Sequence, residues 1–232
     1  MPSDPQTRDR APSRLPIVLH AGGARLVLAV LLLSSTLSAC GGGSSEDIAR
    51  GKDIFTTCAT CHGKEGQGNQ ELDAPNIAGL PKWYIVREIE KFRAGHRGSA
   101  AADTAGRRMA AIASTLEGED AIRAVAAYVA SLPHARVGST VDGDPAKGKV
   151  EYQACASCHA NDGKGRPGLP GERVPPVAGL ADWYVVSQVD AFKKGWRGTR
   201  TSDLPAMKMR AVVIPLDSAA TANVAAYIRT FE

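Results

Sequence analysis

Apolar residues recur at helical spacing in three stretches of the chain, and a second set of three such stretches follows downstream. Within residues 82–94, for example, Trp83, Val86, Ile89 and Phe92 lie three residues apart, which places them on one face of an α-helix. The sequence contains no long alternation of apolar and polar residues, the pattern of half-buried β-strands. The pattern therefore predicts an all-α fold class, with helices over residues 46–57, 82–94, 118–131, 144–153, 182–194 and 218–230.

The two sets of predicted helices belong to an internal repeat. Residues 51–62 resemble residues 148–159 at an offset of 97, and residues 78–109 resemble residues 178–209 at an offset of 100. The resemblance lapses in a stretch with proline and glycine, which is typical of a linker. We therefore predict two tandem domains, with the first at residues 46–132, a linker at 133–143 and the second at 144–232.

Each repeat places a glycine, Gly51 or Gly148, inside its first predicted helix. Glycine in a helix interior costs about 0.5–1 kcal/mol relative to alanine, so its recurrence needs a reason. We predict a close crossing of two helices, in which the missing side chain admits the face that carries Val125 and Tyr128. A tolerated glycine without a packing role is the alternative.

The first 39 residues have the features of an export signal. Arginines precede an uninterrupted apolar run from Leu26 to Leu33, which is too short to span a bilayer but matches the apolar core of a signal peptide. The segment ends in Leu37-Ser-Ala-Cys40, which resembles the lipobox of bacterial lipoproteins. This resemblance implies that residues 1–39 are removed and that Cys40 is lipidated, while an unmodified Cys40 is the alternative. Residues 40–45 are then expected to form the anchored cysteine and a flexible tether.

Composition and charge exclude several classes of protein. The chain is 44% hydrophobic and 22% charged, which is close to ordinary globular usage and unlike a collagen-like or disordered chain. Its formal net charge of +4 is too small for a nucleic-acid-binding surface, so no nucleic-acid partner is expected. Aromatic residues make up only 5% of the chain, which suggests that something besides side chains helps to fill the cores.

A Cys-x-x-Cys-His motif occurs once in each repeat. Two thiols at this spacing can add to the two vinyl groups of one haem, and the following histidine can coordinate the iron. A redox disulfide would not need the histidine, and a zinc site would need a second pair of ligands that neither repeat contains. The motif predicts two covalently attached haem c cofactors, with attachment at Cys58, Cys61, Cys155 and Cys158 and axial ligation by His62 and His159.

With the Phe-x-x-Gly-x-Arg-Gly stretch and the Ala-Ala-Tyr helix that follow in each repeat, the chain resembles the class I c-type cytochromes. As a tandem pair it resembles the dihaem cytochrome c4 group, over about residues 46–232. The resemblance implies that a helical shell surrounds each haem, so that the porphyrin is a large apolar part of each core. It also implies that the haem propionate edges lie near the interface between the domains.

The sixth iron ligand is expected from late in each repeat. Met109 is the only methionine of the first repeat and lies 17 residues after Phe92, and Met209 has the same spacing in the second repeat. We therefore predict Met109 and Met209 as axial ligands, with Met207 as the competitor of Met209. His96 is a rival ligand in the first repeat, but its counterpart is a tryptophan, so we expect a surface histidine.

Two further pairs of residues are candidates for contacts around the haem. By resemblance, Pro75 and Pro175 offer the carbonyl oxygen that accepts a hydrogen bond from Nδ1 of the proximal histidine and fixes the ring. Simple loop prolines are the alternative. Arg97 and Arg197 are candidates for pairing with haem propionates, with a solvated surface position as the alternative.

Two filled axial positions leave no open site at either iron, and no acid–base pair in the sequence suggests catalysis. The expectation is therefore a periplasmic electron carrier rather than an enzyme, anchored to a membrane through Cys40, with the outer membrane favoured over the inner one. Its expected donor is a quinol-oxidising complex or a dehydrogenase, and its expected acceptor is a terminal oxidase or reductase. The alternative is the cytochrome subunit of a dehydrogenase, or a dihaem enzyme that oxidises thiosulfate or an alcohol or acts as a peroxidase.

Overall fold

The structure is a computed structural model that describes residues 44–135, 137–168 and 172–231. The expected signal peptide and the lipidation site at Cys40 lie outside these described residues. Within the described part the chain forms a 3₁₀ turn at Gln70–Leu72, no strand, and nine α-helices: α1 Ser45–His62, α2 Lys82–Arg93, α3 Thr104–Ser114, α4 Gly118–Ser131, α5 Pro145–Glu151, α6 Gln153–His159, α7 Asp182–Lys193, α8 Leu204–Val213 and α9 Ser218–Ile228. The predicted all-α fold class is confirmed.

Among the described residues no individual helix is both long and apolar enough to cross a membrane. Helices α8 and α9, which form a bent pair, meet the length and composition criteria only when they are taken together.

The first helix is longer than predicted at both ends. Its N-terminus is closed by a capping box: the Ser44 hydroxyl accepts a hydrogen bond from the Asp47 amide at 3.0 Å, and the Asp47 carboxylate accepts one from the Ser44 amide at 3.3 Å. Ser44 and Ser45, which were expected in the flexible tether, instead cap and begin this helix. Because α1 continues to His62, its last five residues carry the whole first Cys-x-x-Cys-His motif.

The second domain divides the equivalent helix into two. The helix expected over residues 144–153 is α5, which ends at Glu151, and α6 then carries the second motif. Tyr152 lies at the junction, and its hydroxyl donates a hydrogen bond to the Ala160 carbonyl oxygen at 2.9 Å. This bond ties the break between α5 and α6 to the residue that directly follows His159.

Helices α3 and α8 were not predicted from the sequence. Each begins after an aspartate whose carboxylate accepts a backbone hydrogen bond: Asp103 from the Gly106 amide at 2.8 Å, and Asp203 from the Ala206 amide at 3.3 Å. Each of these helices carries a methionine that is a candidate iron ligand. The candidate ligands are therefore held on regular helices rather than on irregular loops.

The close helix crossing predicted at the two glycines is confirmed. A Cβ atom added at Gly51 would lie 2.1 Å from the Ala124 carbonyl oxygen of α4, and one at Gly148 would lie 2.0 Å from the Asn223 carbonyl oxygen of α9. In the first domain, the Phe55 ring packs beside Tyr128 with the ring centroids 5.2 Å apart. The backbone contact at each glycine sets the distance between the first helix of a domain and the last helix of the same domain. In the first domain this first helix carries the Cys-x-x-Cys-His motif, and in the second domain it leads into the helix that carries it.

Substitution of Gly51 by alanine is expected to destabilise the first domain strongly. The added methyl group meets backbone atoms that cannot rotate away, so α1 and α4 must separate, and overpacking of this kind typically costs about 1–3 kcal/mol. Urea unfolding of the holoprotein measures the effect. The matched control is Gly138→Ala, because a Cβ atom there has no neighbour within 4 Å. Equal stability of the two variants would show that the crossing can open without loss.

The two domains contact each other through α2, α7 and the loops beside them. The side chain of Asn76 is 3% exposed, donates to the Gly179 carbonyl oxygen at 2.6 Å and accepts from the Ala181 amide at 3.0 Å. The equivalent residue of the second repeat is Pro176, which has no side chain that can make these bonds. Asn76 therefore joins the first domain to the second without a symmetric counterpart.

Candidate functional site

Both Cys-x-x-Cys-His motifs lie at the C-terminal end of a helix. On α1, Cys58 is followed by Cys61 and His62 at three and four residues, so the three side chains share one face of the helix. The helix ends directly after the histidine, at Gly63, whose positive φ of 80° turns the chain away. The second motif on α6 ends in the same manner, at Ala160 with φ of 66°.

Each motif histidine is held by a proline carbonyl group. Nδ1 of His62 donates to the Pro75 oxygen at 2.8 Å, and Nδ1 of His159 donates to the Pro175 oxygen at 2.9 Å. Because a carbonyl oxygen can only accept, Nδ1 carries the proton and the Nε2 lone pair is left available. Burial lowers the pKa of both histidines, and the hydrogen bonds oppose this only in part, so each ring is neutral, as a metal ligand must be.

The cysteines of the motifs are available as thiols. None of the four cysteines in the described residues takes part in a disulfide. Burial raises the pKa of the Cys58 and Cys155 thiols, which favours the protonated, less reactive form in the absence of another group. Over the same described ranges, no group of three or more His, Cys, Asp or Glu side chains is placed to hold a metal ion, so the zinc alternative finds no set of ligands.

A cavity of about 380 Å³ in the first domain brings the candidate residues together. Cys58, Cys61, His62, Pro75 and Met109 all line it. The remaining lining is largely apolar and comes from helices and loops of the first domain and from α7 and the loop that follows it in the second domain. This volume lies within the range of roughly 300–1,000 Å³ that is usual for ligand pockets. The chemistry of the lining, with two thiols, one neutral imidazole and one thioether in an apolar enclosure, fits a covalently attached haem.

The two methionines of α8 are in different surroundings. Met209 packs against the buried cluster of Val189, Phe192, Ala206 and Val213, whereas Met207 is 36% exposed. Helix α8 thus turns Met209 inwards, as α3 does with Met109. His96 does not line the first cavity, and its Nε2 atom lies 3.1 Å from the Ser202 hydroxyl of the other domain.

Arg97 and Arg197 are buried in the interface between the domains, so the solvated alternative is wrong. Their guanidinium groups share the Glu88 carboxylate, with nitrogen–oxygen distances of 2.8 Å for Arg97 and 3.1 Å for Arg197. Burial raises the pKa of Glu88, but Arg197, Arg97 and Lys91 more than offset this and lower it to about 2. Glu88 is therefore ionised at neutral pH.

The buried interface carries an excess of positive charge that suits a further anion. Three buried cations, Arg97, Arg197 and Lys91, face two buried carboxylates, Glu88 and Asp203. Within the described part of the chain, Nε of Arg197 has no hydrogen-bond partner. A buried donor that is left without an acceptor is unfavourable even when the rest of its guanidinium group is paired, and both arginines line the first cavity. Haem carries carboxylate groups as its propionates, so the residues present fit this end of the group as well.

Sequence reasoning did not identify Glu88 and Gln188, which accept the hydrogen bonds of the two arginines. A signal for Glu88 was present. It lies three residues after Ile85 and four before Phe92, so it occupies the apolar face of α2, where an unpaired carboxylate would be costly. A charged residue on that face indicates a buried partner.

Comparisons with known proteins agree with this arrangement. The sequence matches the cytochrome c family model over residues 48–133 and again over residues 145–232. A thiosulfate dehydrogenase electron acceptor from Stutzerimonas stutzeri is 30% identical over 188 residues, which cover 76% of this chain and 82% of that protein. A protein of the same description from Thiomonas intermedia is 28% identical over 183 residues, which cover 74% of this chain and 77% of that protein.

Two solved structures are similar to the fold. A thiosulfate dehydrogenase from Marichromatium purpuratum matches with a TM-score of 0.64 and 28% identity, over 79% of this chain but only 40% of that one. Reduced cytochrome c4 from Pseudomonas stutzeri matches with a TM-score of 0.62 and 25% identity, over 82% of this chain and 100% of that one. The tandem arrangement inferred from the repeat is thereby confirmed.

Proposed function

Since the chain belongs to the cytochrome c family, with two tandem domains and two covalently bound haem c groups, we propose that it is a periplasmic electron carrier between a dehydrogenase and a terminal oxidase or reductase. Electron transfer is the function that the family supplies. The donor, the acceptor and the location are the parts that this proposal adds. The observation that carries it is the enclosure of Cys58, Cys61, His62 and Met109 around one cavity.

In the mechanism that we propose, the side chains of each domain hold the haem and close its iron to other ligands. When bound, haem c supplies one-electron oxidation and reduction at its iron. Cys58 and Cys61 would hold it covalently through their sulfur atoms, and the imidazole of His62 and the thioether of Met109 would bind its iron, while the Pro75 carbonyl group keeps the histidine ring in one orientation. Cys155, Cys158, His159, Met209 and Pro175 have the same roles in the second domain.

This assignment favours a carrier over an enzyme. If the imidazole of His62 and the thioether of Met109 both bind the iron, a substrate would have no position left on it, whereas a peroxidase needs one. Because Cys58, Cys61 and His62 lie together at the end of α1, they would hold the group rigidly at three points. A fixed association with a dehydrogenase as its cytochrome subunit uses the same two sites and differs only in the lifetime of the complex.

A thiosulfate dehydrogenase is the first donor to test. Two relatives that match about three quarters of this chain are described as electron acceptors of that enzyme. A quinol-oxidising complex is the alternative donor. We place the protein in the periplasm, held by a lipid on Cys40 at the outer membrane, because haem c is attached after export and the first 40 residues have the pattern of a lipoprotein signal.

The donor is identified by the rate at which the purified, oxidised holoprotein is reduced. With catalytic amounts of a thiosulfate dehydrogenase, we expect full reduction that depends on both thiosulfate and the enzyme, followed at the haem absorbance bands. Reduction by a quinol-oxidising complex alone would select the alternative donor. Reduction by neither, or turnover of thiosulfate by the protein alone, would contradict the proposed function.

A further inference from the structure

Three buried side chains and one half-buried side chain close a ring across the interface between the domains. Glu88 Oε2 accepts hydrogen bonds from Arg97 at 2.8 Å and from Arg197 at 3.1 Å. Gln188 Oε1 accepts from Arg97 at 3.0 Å and from Arg197 at 2.7 Å. Each arginine thus donates to one acceptor of its own domain and to one of the other. Because positions 88 and 188 correspond in the repeat, as do 97 and 197, the ring has approximate twofold symmetry.

Packing holds this ring in place. The Arg97 guanidinium lies 4.2 Å from the centre of the Phe92 ring, and that of Arg197 lies 4.5 Å from the centre of the Phe192 ring. The exposed fractions of Glu88, Arg97 and Arg197 are 7%, 8% and 9%, so water has little access to them. A buried ion pair that loses one partner leaves an uncompensated charge, which costs far more than the loss of an exposed pair.

A single charge breaks the symmetry of the ring. One acceptor is a carboxylate at Glu88, and the other is an amide at Gln188. The surroundings follow this difference: Arg87 and Lys91 lie 3.5 Å and 3.6 Å from Glu88 Oε1. The equivalents of these two cations in the second repeat are a serine and an alanine. Positive charge is therefore gathered around position 88 and not around position 188.

Lys91 connects the ring to one more helix of the second domain, α8. Its Nζ atom lies 2.9 Å from Asp203 Oδ2, and Asp203 also caps the helix that carries Met209. The negative charge at Glu88 is thus connected, through one lysine, to the start of α8. A change at Glu88 therefore acts on contacts of both domains.

We propose that Glu88 is a positioning residue for electron transfer between the two domains: as the one carboxylate of the ring, it holds Arg97 and Arg197 together and keeps the domains in one relative orientation. The ring also lines the first cavity. A negative charge close to a redox centre favours its oxidised, more positive form. Glu88 therefore makes the first haem harder to reduce than a ring with two amides would. This inference depends on the two haem groups but on no particular donor or acceptor.

Exchange of the two acceptors tests the proposal on the purified dihaem protein. The variants are E88Q, Q188E and the double variant E88Q/Q188E, and the readout is a redox titration. At a fixed ambient potential, we expect E88Q to raise the ratio of reduced to oxidised first haem by at least about threefold. For a one-electron couple, a tenfold change in this ratio corresponds to a shift of about 59 mV in the reduction potential. We expect Q188E to lower the ratio and the double variant, which restores the charge of the ring, to return it towards the wild-type value.

The orientation of the domains is measured on the same samples by small-angle X-ray scattering. We expect a larger radius of gyration for E88Q, in which the buried cations lose a counter-charge, and wild-type values for Q188E and the double variant. The matched control is E90Q, which removes an equal charge from an exposed position of the same helix and should change neither quantity.

If Glu88 and Gln188 had only a structural role, the reduction potential of the first haem would not shift in opposite directions in E88Q and Q188E. Shifts of the same sign in E88Q and Q188E, or no shift in either, would overturn the proposal. Should E88Q fail to retain both haems, Q188E provides the test, because it adds no uncompensated cation, and an unchanged or raised potential would then overturn the proposal. Neither readout involves a dehydrogenase, so this inference and the proposed function can fail separately.

Discussion

Substitution of both Cys58 and Cys61 by alanine is expected to yield a protein with one covalent haem and about half of the wild-type Soret absorbance. Both thioether bonds of the first domain are lost, and the apolar walls of the 380 Å³ cavity then lose the group that fills them. We expect the helices of the first domain to unfold in part, while the second haem stays attached. Intact mass, haem content and the far-ultraviolet circular dichroism signal measure these effects.

The mirror variant, with Cys155 and Cys158 replaced by alanine, is the control for this experiment. It should lose the other haem and leave the first domain with its cofactor. Retention of two covalent haems in either variant would show that the attachment sites are elsewhere. A wild-type mass equal to that of the polypeptide and its acyl chains would remove the basis for any electron-transfer function.

Substitution of Met109 by alanine is expected to leave the haem attached but to lower its reduction potential, by a fraction of the roughly 0.8 V range that axial ligands span. The thioether stabilises ferrous iron, so its loss makes the first haem harder to reduce. A redox titration measures the shift, and the oxidised near-infrared spectrum should lose one of two charge-transfer bands between methionine and iron. An unchanged potential would remove Met109 as a ligand.

The second domain offers a matched pair of variants for the same question. Met209→Ala should lower the potential of the second haem as Met109→Ala lowers that of the first. Met207→Ala should leave both potentials in place, because this side chain is directed outwards from α8. The reverse result would exchange the roles of the two methionines.

The helices that were predicted from the sequence are those whose apolar faces pack on other helices. The faces of α2 and α4 repeat at the helical period because Phe92 and Val125 contact protein side chains in one core. Helix α3 has an apolar face as well, but only Met109 and Ile112 among its 11 residues are large and apolar, so this face was not recognised in the sequence. In α8, leucine, methionine and valine occupy most sides, so no period stands out.

The candidate site was predictable in its local motifs and not in its long-range contacts. The two cysteines and the histidine of each motif occupy one helix end, so their spacing alone places them together. The ring between the domains joins Glu88 to Arg197, which are 109 residues apart, and no local pattern encodes such a distance. The repeat did mark Arg97 and Arg197 as equivalent, but it did not indicate that they meet.

The two hydrogen bonds of the Asn76 side chain make the two halves of the repeat non-equivalent. A protein assembled from two copies of the first half would bring a second carboxylate into the ring, and one assembled from two copies of the second half would contain only prolines where the asparagine is required. The halves have thus diverged into the complementary members of a fused heterodimer. Because the two halves are complementary and not identical, neither half can serve as a substitute for its neighbour.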